Sequence, residues 1–400
     1  MCLTACKADP FPFSLGAVVA PGVSPQGSVR ADSIPWYSHA IVSAQLDILA
    51  LEPFYGGVRK AMLETVMRCS RHRWTLLKLP PRRMERRLSA AAHWFAEQLS
   101  RHWVGPLDIL FTSEAMNLPD LLRLLPMLEN KPSVVYFHAN QLPDPEQPEN
   151  YSVNDLVNLG TAQCAGELWF NSEFHLQDFT RRARALVERH RELSSRDPIP
   201  QLLSKSRLVT PPIDLKLGDH IQSSQPVKHQ KRLIFVDTRD ADMTLLNLGL
   251  ATLARRGEAF ELVTVGPLVE LSRDFPRTTV AESDDTAQTE ALLRAETFLS
   301  AQRGAPSDFY AVKALATECW PILPDDGVYR EMIPRKLHEG CLYDGTPDGM
   351  AGRLQDFWHF DHPTNAPAEF AKVVKSFDAI AACKMMDERL SETAARFAKK

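Results

Sequence analysis

From Leu46 onward the chain alternates short apolar runs with longer amphipathic stretches. The run "LDILALE" (46–52) predicts a buried strand, Gly56 and Gly57 a tight turn, and 58–70 a helix. "WTLLKLP" (74–80) predicts a second strand, and 84–103 a helix with Ala and Trp on one side. "DILFTS" (108–113), "PSVVYFH" (132–138), "GELWFNS" (166–172) and "SRLVTPPID" (206–214) follow, with helical segments between them. The polar stretch "LGDHIQSSQPVKHQK" (217–231) breaks the rhythm and reads as a linker. Alternation then restarts with "RLIFVD" (232–237), "FELVTVG" (260–266), "TTVAES" (278–283), "TFLSAQ" (297–302), "CWPILP" (319–324) and "CLYD" (341–344), and the chain ends in mostly helical sequence.

Continuous apolar strands alternating with helices imply parallel sheets covered on both faces. A chain of 400 residues is long for one core and suits two domains. The expected class is therefore α/β, with two doubly wound Rossmann-like domains and a cleft between them. The expected boundaries are a disordered leader at 1–44, a first domain at 45–216, a linker at 217–230, a second domain at 231–345, and helices at 346–400 that pack back toward the first domain. Residues 10–35 are rich in Pro, Gly and Ser and have no clear period, so 1–44 reads as a disordered leader or as the product of an upstream start codon chosen in error. "LTAC" (3–6) has no basic or apolar segment before it and is not expected to act as a signal peptide.

Composition changes this picture little. A hydrophobic fraction of 44% and a net charge of −4 fit a soluble globular protein. No apolar run approaches the length of a membrane span. The seven cysteines are scattered, with no CxxC and no metal-ligand spacing, which suits reduced thiols in the cytoplasm. Charge is unevenly spread, however. Between Arg59 and Arg87 lie ten Lys or Arg and two Glu, with His72, Trp74 and His93 in or near the run. Such a stripe suits phosphates, with Arg82, Arg83, Arg86 and Arg87 as candidate RNA contacts and aromatics to stack on an unpaired base. A second cluster at 181–193 reads as a solvated helix face.

Ligands of open parallel sheets sit beyond the strand carboxyl ends. His138 ends one such strand, and its imidazole is expected to face the cleft, with Asn140 and Gln141 in the loop that follows. The competing reading, in which His138 caps a strand end and the amides tie down the loop, stays open. "DAD" (240–242) has the form of a metal-binding DxD, but its place after a strand favours a helix N-cap. "DD" (325–326) reads as a turn.

Several local patterns coincide: "EPFYGGVRK" (52–60), "LPPRRMERR" (79–87), "DILFTSEAMNLPDL" (108–121), "YFHANQL" (136–142), "WFNSEF" (169–174), "TPPIDL" (210–215) and "CWPILPDDGVYREMIP" (319–334). Together they resemble the tRNA-queuosine mannosyltransferase-like family, GT-B glycosyltransferases related to the large retaining family four. The resemblance runs from about Leu46 to about Leu354 and is better in the first half. It implies a nucleotide-sugar donor, GDP-mannose, held mainly by the second domain, and queuosine of a tRNA as acceptor on the first. It implies retention at the anomeric carbon, with no metal or other cofactor. His138, Asn140 and Gln141 would line the sugar, Gly56 and Gly57 would form the donor-facing turn, and Asn171 and Ser172 the cleft floor. Arg239 would grip the diphosphate.

The second half departs from that pattern. The expected diphosphate lysine falls near Met243, and the paired glutamates of family four fall at Ala305 and Lys313. Lys313 would then meet the donor with a cation in place of a carboxylate. In the first half, Ala139 stands where the family has a glutamate, and Val58 and Arg59 where it has Ser-His. Glutamate accepts hydrogen bonds from ribose hydroxyls, whereas lysine only donates. Losing one such contact in a dry cleft costs about 2–4 kcal/mol. A catalytically degraded relative that binds RNA or nucleotide is thus the alternative, and a transferase acting on a small metabolite or envelope lipid a weaker third.

Overall fold

The computed structural model describes residues 45–103, 105–146, 154–191, 197–215, 229–268, 270–360, 363 and 365–398. The expected leader and residues 216–228, most of the expected linker, lie outside these.

The first half runs β1 (Asp47–Glu52), α1 (Gly57–Cys69), β2 (Arg73–Lys78), α2 (Met84–His102), β3 (Ile109–Ser113), α3 (Leu118–Leu124), β4 (Ser133–Phe137), α4 (Asn154–Cys164), β5 (Glu167–Phe170), α5 (Glu173–Arg189), α6 (Ile199–Ser204) and β6 (Ser206–Leu208). Its six strands pair in parallel in the order β2-β1-β3-β4-β5-β6. Every residue of β3, β4 and β5 is buried, as their unbroken apolar character requires. The last expected strand stops at Leu208, before Pro211 and Pro212, which have no N–H to offer a ladder.

The second half runs β7 (Gln230–Asp237), α7 (Met243–Arg255), β8 (Glu261–Val265), β9 (Arg277–Val280), α8 (Asp285–Arg294), β10 (Ala295–Leu299), α9 (Phe309–Ala316), β11 (Trp320–Pro324), α10 (Tyr329–Met332), α11 (His338–Cys341) and β12 (Leu342–Tyr343). These strands pair in parallel in the order β12-β11-β10-β7-β8-β9. Numbered within this half, that is the 6-5-4-1-2-3 order of a doubly wound dinucleotide-type sheet.

Three helices close the chain: α12 (Pro347–His359), α13 (Ala366–Phe377) and α14 (Ala379–Phe397). Met350, Ala351 and Leu354 of α12 and Phe370 of α13 join the second-half core. Among the described residues, α14 packs on the first-half core. Its Cys383, Met386 and Leu390 pack with Ile48, Met62, Tyr136 and Trp169 of the first half. Asp378 caps α14 by accepting from the amides of Ile380 and Ala381.

The strand order reverses between β1 and β3 in the first sheet and between β7 and β10 in the second. The crevice outside those strand ends is where such sheets hold ligands. Among the described residues, no helix is long and apolar enough to cross a membrane.

Candidate functional site

At the switch point of the first sheet, four polar side chains meet in a nearly dry volume. Glu52 ends β1, Glu114 follows β3, His138 follows β4, and Arg59 reaches in from the first turn of α1. Glu114 accepts a hydrogen bond from the Arg59 guanidinium and from the backbone amides of His138 and Ala139. Glu52 accepts from the Phe54 amide at 2.7 Å and the Ser113 hydroxyl at 3.0 Å. Burial pushes the Glu52 carboxyl up to about 7 against the opposing pull of Arg59, with Glu114 adding to the rise. Burial works against the Arg59 charge, but Glu114 and Glu52 outweigh it and hold the guanidinium above its ordinary value. Its Nε is buried and has no hydrogen-bond partner among the described residues.

His138 does not face the cleft as expected. Its residue surface is 4% exposed, and its ring lies 4.7 Å from that of Tyr136. Burial, then the nearby Arg59 and His175, hold its pKa well below the usual histidine range, so the ring is neutral at physiological pH. The physical reason is strand alternation. Residues 134, 136 and 138 share one side of the strand line, and Val134 and Tyr136 already belong to the core beneath α1 and α14.

Of the loop residues expected beside the sugar, Asn140 is engaged with protein. Asn140 donates to Asp178 at 2.5 Å, and its own Oδ1 is buried with no partner among the described residues. Gln141 is half-buried. The Asn171 amide donates to the His138 carbonyl, and its oxygen meets His175 Nδ1 at 2.8 Å. Ser172 caps α5 by accepting from the His175 amide and donates across to the Pro306 carbonyl of the second half. Beside it, Glu331 accepts from the amides of Glu173 and Phe174. The N-terminus of α5 is thus closed by a carboxylate from the opposite half.

A cavity of about 310 Å³ lies between α1 and the α8–α9 face of the second half. It brings together Gly57, Arg239 and Lys313, three residues that the sequence resemblance assigns to the donor. Gly57 has a φ of +52°, which glycine tolerates best, and the helix that it opens has no side-chain cap and no acid in its first turn. Uncapped first-turn amides are a ready anion site. Across the cavity, Tyr310 has two cations near its ring, with Arg239 Cζ 4.8 Å and Lys313 Nζ 5.4 Å from the ring centre. The Tyr310 hydroxyl donates to Gln288. Arg239 is forked onto Asp237, at 2.9 and 2.7 Å. Burial opposes its charge, but that fork holds the guanidinium above its ordinary value. Lys60, Glu64, Arg68, Asp214, Glu282 and Asp285 complete a lining of mixed sign. Such a lining suits a ligand that carries both anionic groups and hydrogen-bond donors.

The departures are visible in place. Met243 opens α7 behind Asp242, whose carboxylate accepts from the Leu245 amide at 2.9 Å. The "DAD" therefore ends in the helix cap that its position favours. Ala305 is buried, and its backbone is close enough to Gly327 that a Cβ there would come within 2.7 Å. Asp326 accepts from the amides of Gly304 and Gly327, a turn as expected.

The basic run separates by environment. Arg59 is buried on Glu114, Arg68 pairs with Asp214 at 2.8 Å, and Arg73 with Asp47 at 2.6 Å. Trp74 and His72, expected as stacking platforms, are core residues. Trp74 packs edge-on against Phe111, and His72 hydrogen-bonds the Asp387 carbonyl. Arg87 donates to the Pro80 carbonyl. Arg82, Arg83 and Arg86 are exposed. In the 181–193 cluster, Arg181 and Arg182 pair with Asp178 and Asp144, and residues 192–193 lie outside the described ones.

Sequence reasoning missed Glu114 and Asp237, which hold the two key arginines, and Tyr310 beside Arg239 and Lys313. Two of these had a signal: an acid at the carboxyl end of an apolar strand, where ligand-facing residues fall. Tyr310 had none.

Residues 47–213 match the family described as tRNA-queuosine alpha-mannosyltransferase N-terminal. The tRNA-queuosine alpha-mannosyltransferase of Drosophila melanogaster is 23% identical over 339 residues, covering 78% of this chain and 87% of that protein. Sucrose-phosphate synthase from Thermosynechococcus elongatus aligns over 88% of this chain and all of its own, with a TM-score of 0.60 at 14% identity. The catalytic domain of starch synthase IV from Arabidopsis thaliana, bound to ADP and acarbose, covers 89% of this chain and all of its own, with a TM-score of 0.63 at 12% identity. These structures are GT-B glycosyltransferases, and the likeness shows that fold for this chain.

Proposed function

On the premise that this chain belongs to the tRNA-queuosine alpha-mannosyltransferase-like family through its first domain, residues 47–213, we propose that it transfers mannose from GDP-mannose to queuosine in tRNA, with retention and without a metal. The observation that carries the reading is the cavity in which Gly57 and the uncapped start of α1 face Arg239, Tyr310 and Lys313. A leaving nucleoside diphosphate gains negative charge as the glycosidic bond breaks. Uncapped amides on one wall and two cations on the other oppose that charge from both sides. Glu114 and Glu52 hold Arg59 and the Phe54–Gly57 turn, and so fix where α1 begins.

Incubation of the full chain with GDP-mannose and queuosine-containing tRNA is expected to slow the tRNA less on a boronate gel, because the modified cyclopentene diol no longer binds boronate. No shift, together with no hydrolysis of any common sugar nucleotide, would reject the reading.

A second reading has its own support. Ala305 and Lys313 stand where family four has its donor carboxylates, and the α5 N-terminus is occupied by Glu331. A relative that binds RNA or nucleotide without transfer accounts for both facts. Calorimetry separates the two. GDP binding that is weakened by Arg239→Ala supports the enzyme, and tRNA binding without nucleotide binding supports the non-catalytic relative.

A further inference from the structure

We infer that Arg82, Arg83 and Arg86 form the docking surface for RNA phosphates beside the acceptor nucleoside, an inference that rests on the RNA-acceptor reading above. Ten cations lie between Arg59 and Arg87, and tertiary structure sorts them. Arg59, Arg68 and Arg73 are neutralised by carboxylates, Lys60 lies 3.9 Å from Glu64, and Lys78 sits on the Tyr55 ring. Arg71 donates to Ser391, and Arg87 to the Pro80 carbonyl. Arg82, Arg83 and Arg86 remain exposed, and among the described residues no carboxylate pairs with them. Glu85 is the one acid in their midst.

Their location gives the patch its partner. The Pro80–Arg83 loop is pressed against the Gly56–Gly57 turn, so closely that a Cβ on Gly56 would lie 2.5 Å from Pro81 Cγ. Gly57 in turn lines the cavity. Arg82 and Arg83 follow Pro81 directly in the chain, and Arg86 lies in the first turn of α2, so the patch starts next to the turn that lines the candidate site. The loop is also held in an uncommon shape: Arg83 has a φ of +54° and opens α2 without a side-chain cap. The Arg87 bond to Pro80 braces it from inside. A braced loop that presents guanidinium groups to solvent matches the repeating anions of a nucleic acid backbone. His93, exposed on α2 and seven residues after Arg86, extends the same face.

The test uses the full chain, a queuosine-containing tRNA, and fluorescence anisotropy across a salt series. Wild type is expected to lose affinity steeply with salt. The Arg82→Glu, Arg86→Glu double variant is expected to bind at least about tenfold more weakly at physiological ionic strength, with a log–log salt slope shallower by about 2. Arg82→Lys with Arg86→Lys should keep the slope, and GDP binding should be the same in all three proteins, which also reports folding. An unchanged slope in the Glu variant overturns the inference. So does tighter binding of polyglutamate than of tRNA to wild type, since that would assign the patch to an acidic protein. Loss of GDP binding in wild type with salt-linked tRNA binding intact would overturn the transfer reading and leave the arginine surface standing.

Discussion

The Ser172 hydroxyl donates to the Pro306 carbonyl at 2.8 Å, joining the start of α5 in the first half to the loop after β10 in the second. The same hydroxyl accepts from the His175 amide at 3.1 Å. One oxygen thus caps a helix and bridges the two halves. Ser172→Ala is expected to destabilise the protein by about 1–2 kcal/mol, read as a lower urea midpoint. Ser172→Thr keeps both bonds and should recover most of that loss. Equal midpoints for Ala and wild type would show that the bridge contributes nothing.

Arg239 and Lys313 flank one ring but differ in what holds them. Arg239 is fixed by Asp237 and presents a rigid fork edge to the cavity. Arg239→Lys keeps the charge without the fork and is expected to weaken GDP binding about tenfold in calorimetry. Lys313→Ala is expected to weaken it less. Lys313→Glu would place an acceptor where family four has one, and tighter nucleotide binding in that variant would mark Lys313 as a lost ribose contact.

Glu52 makes stability depend on pH in a direction opposite to that of an ordinary ion-paired carboxylate. Its folded pKa is raised to about 7 by burial, above the unfolded value of about 4.3. The folded state therefore holds a proton that the unfolded state has lost, and stability falls as pH rises between those values. Glu52→Gln keeps an acceptor for Phe54 and Ser113 and removes the titration. Its stability relative to wild type should be unchanging below pH ~4, rise by up to about 3 kcal/mol by pH ~7, and stay level above that. A difference that is flat from pH ~4 to ~8 would contradict the burial argument.

His138 and His175 act with the reverse sign. Burial depresses both, His175 to about 3. The unfolded chain takes up protons below pH ~6.5 that the folded chain refuses, so acid destabilises the native state there. His175→Gln should shift the acid limb of a urea-midpoint profile toward lower pH while leaving the midpoint at pH ~8 within about 1–2 kcal/mol of wild type. An unmoved acid limb would argue that His175 is protonated in the fold.

The two glycines of the turn should fail for different reasons. Gly56→Ala drives a methyl group into Pro81, so the Pro80–Arg83 loop must move, at a cost of about 1–3 kcal/mol. A Cβ on Gly57 would meet no atom within 4 Å, but its φ of +52° makes Ala cost about 1–2 kcal/mol. Denaturant melts give both values. Only Gly56→Ala should also alter RNA binding through the displaced arginines.

Alternation of apolar runs such as "SVVYF" with amphipathic stretches was enough to settle the strand sequence and the doubly wound class. A strand buried on both faces must be apolar throughout, and that signal is local. Sequence also located strand ends, and with them His138, because ligands of such sheets gather there, while Arg239 came from the family resemblance. It did not decide which way those ends point or what they meet. His138 turned inward because the side of the strand that it occupies is filled by Tyr136 and covered by α1 and α14, and α14 lies far away in the chain. Trp74 and His72 became core residues rather than stacking platforms for the same reason. Which arginines stay free was likewise a tertiary outcome, since Asp47, Glu114 and Asp214 reach their partners only through folding. Composition and spacing are properties of neighbours along the chain, whereas burial and charge pairing are properties of neighbours in space.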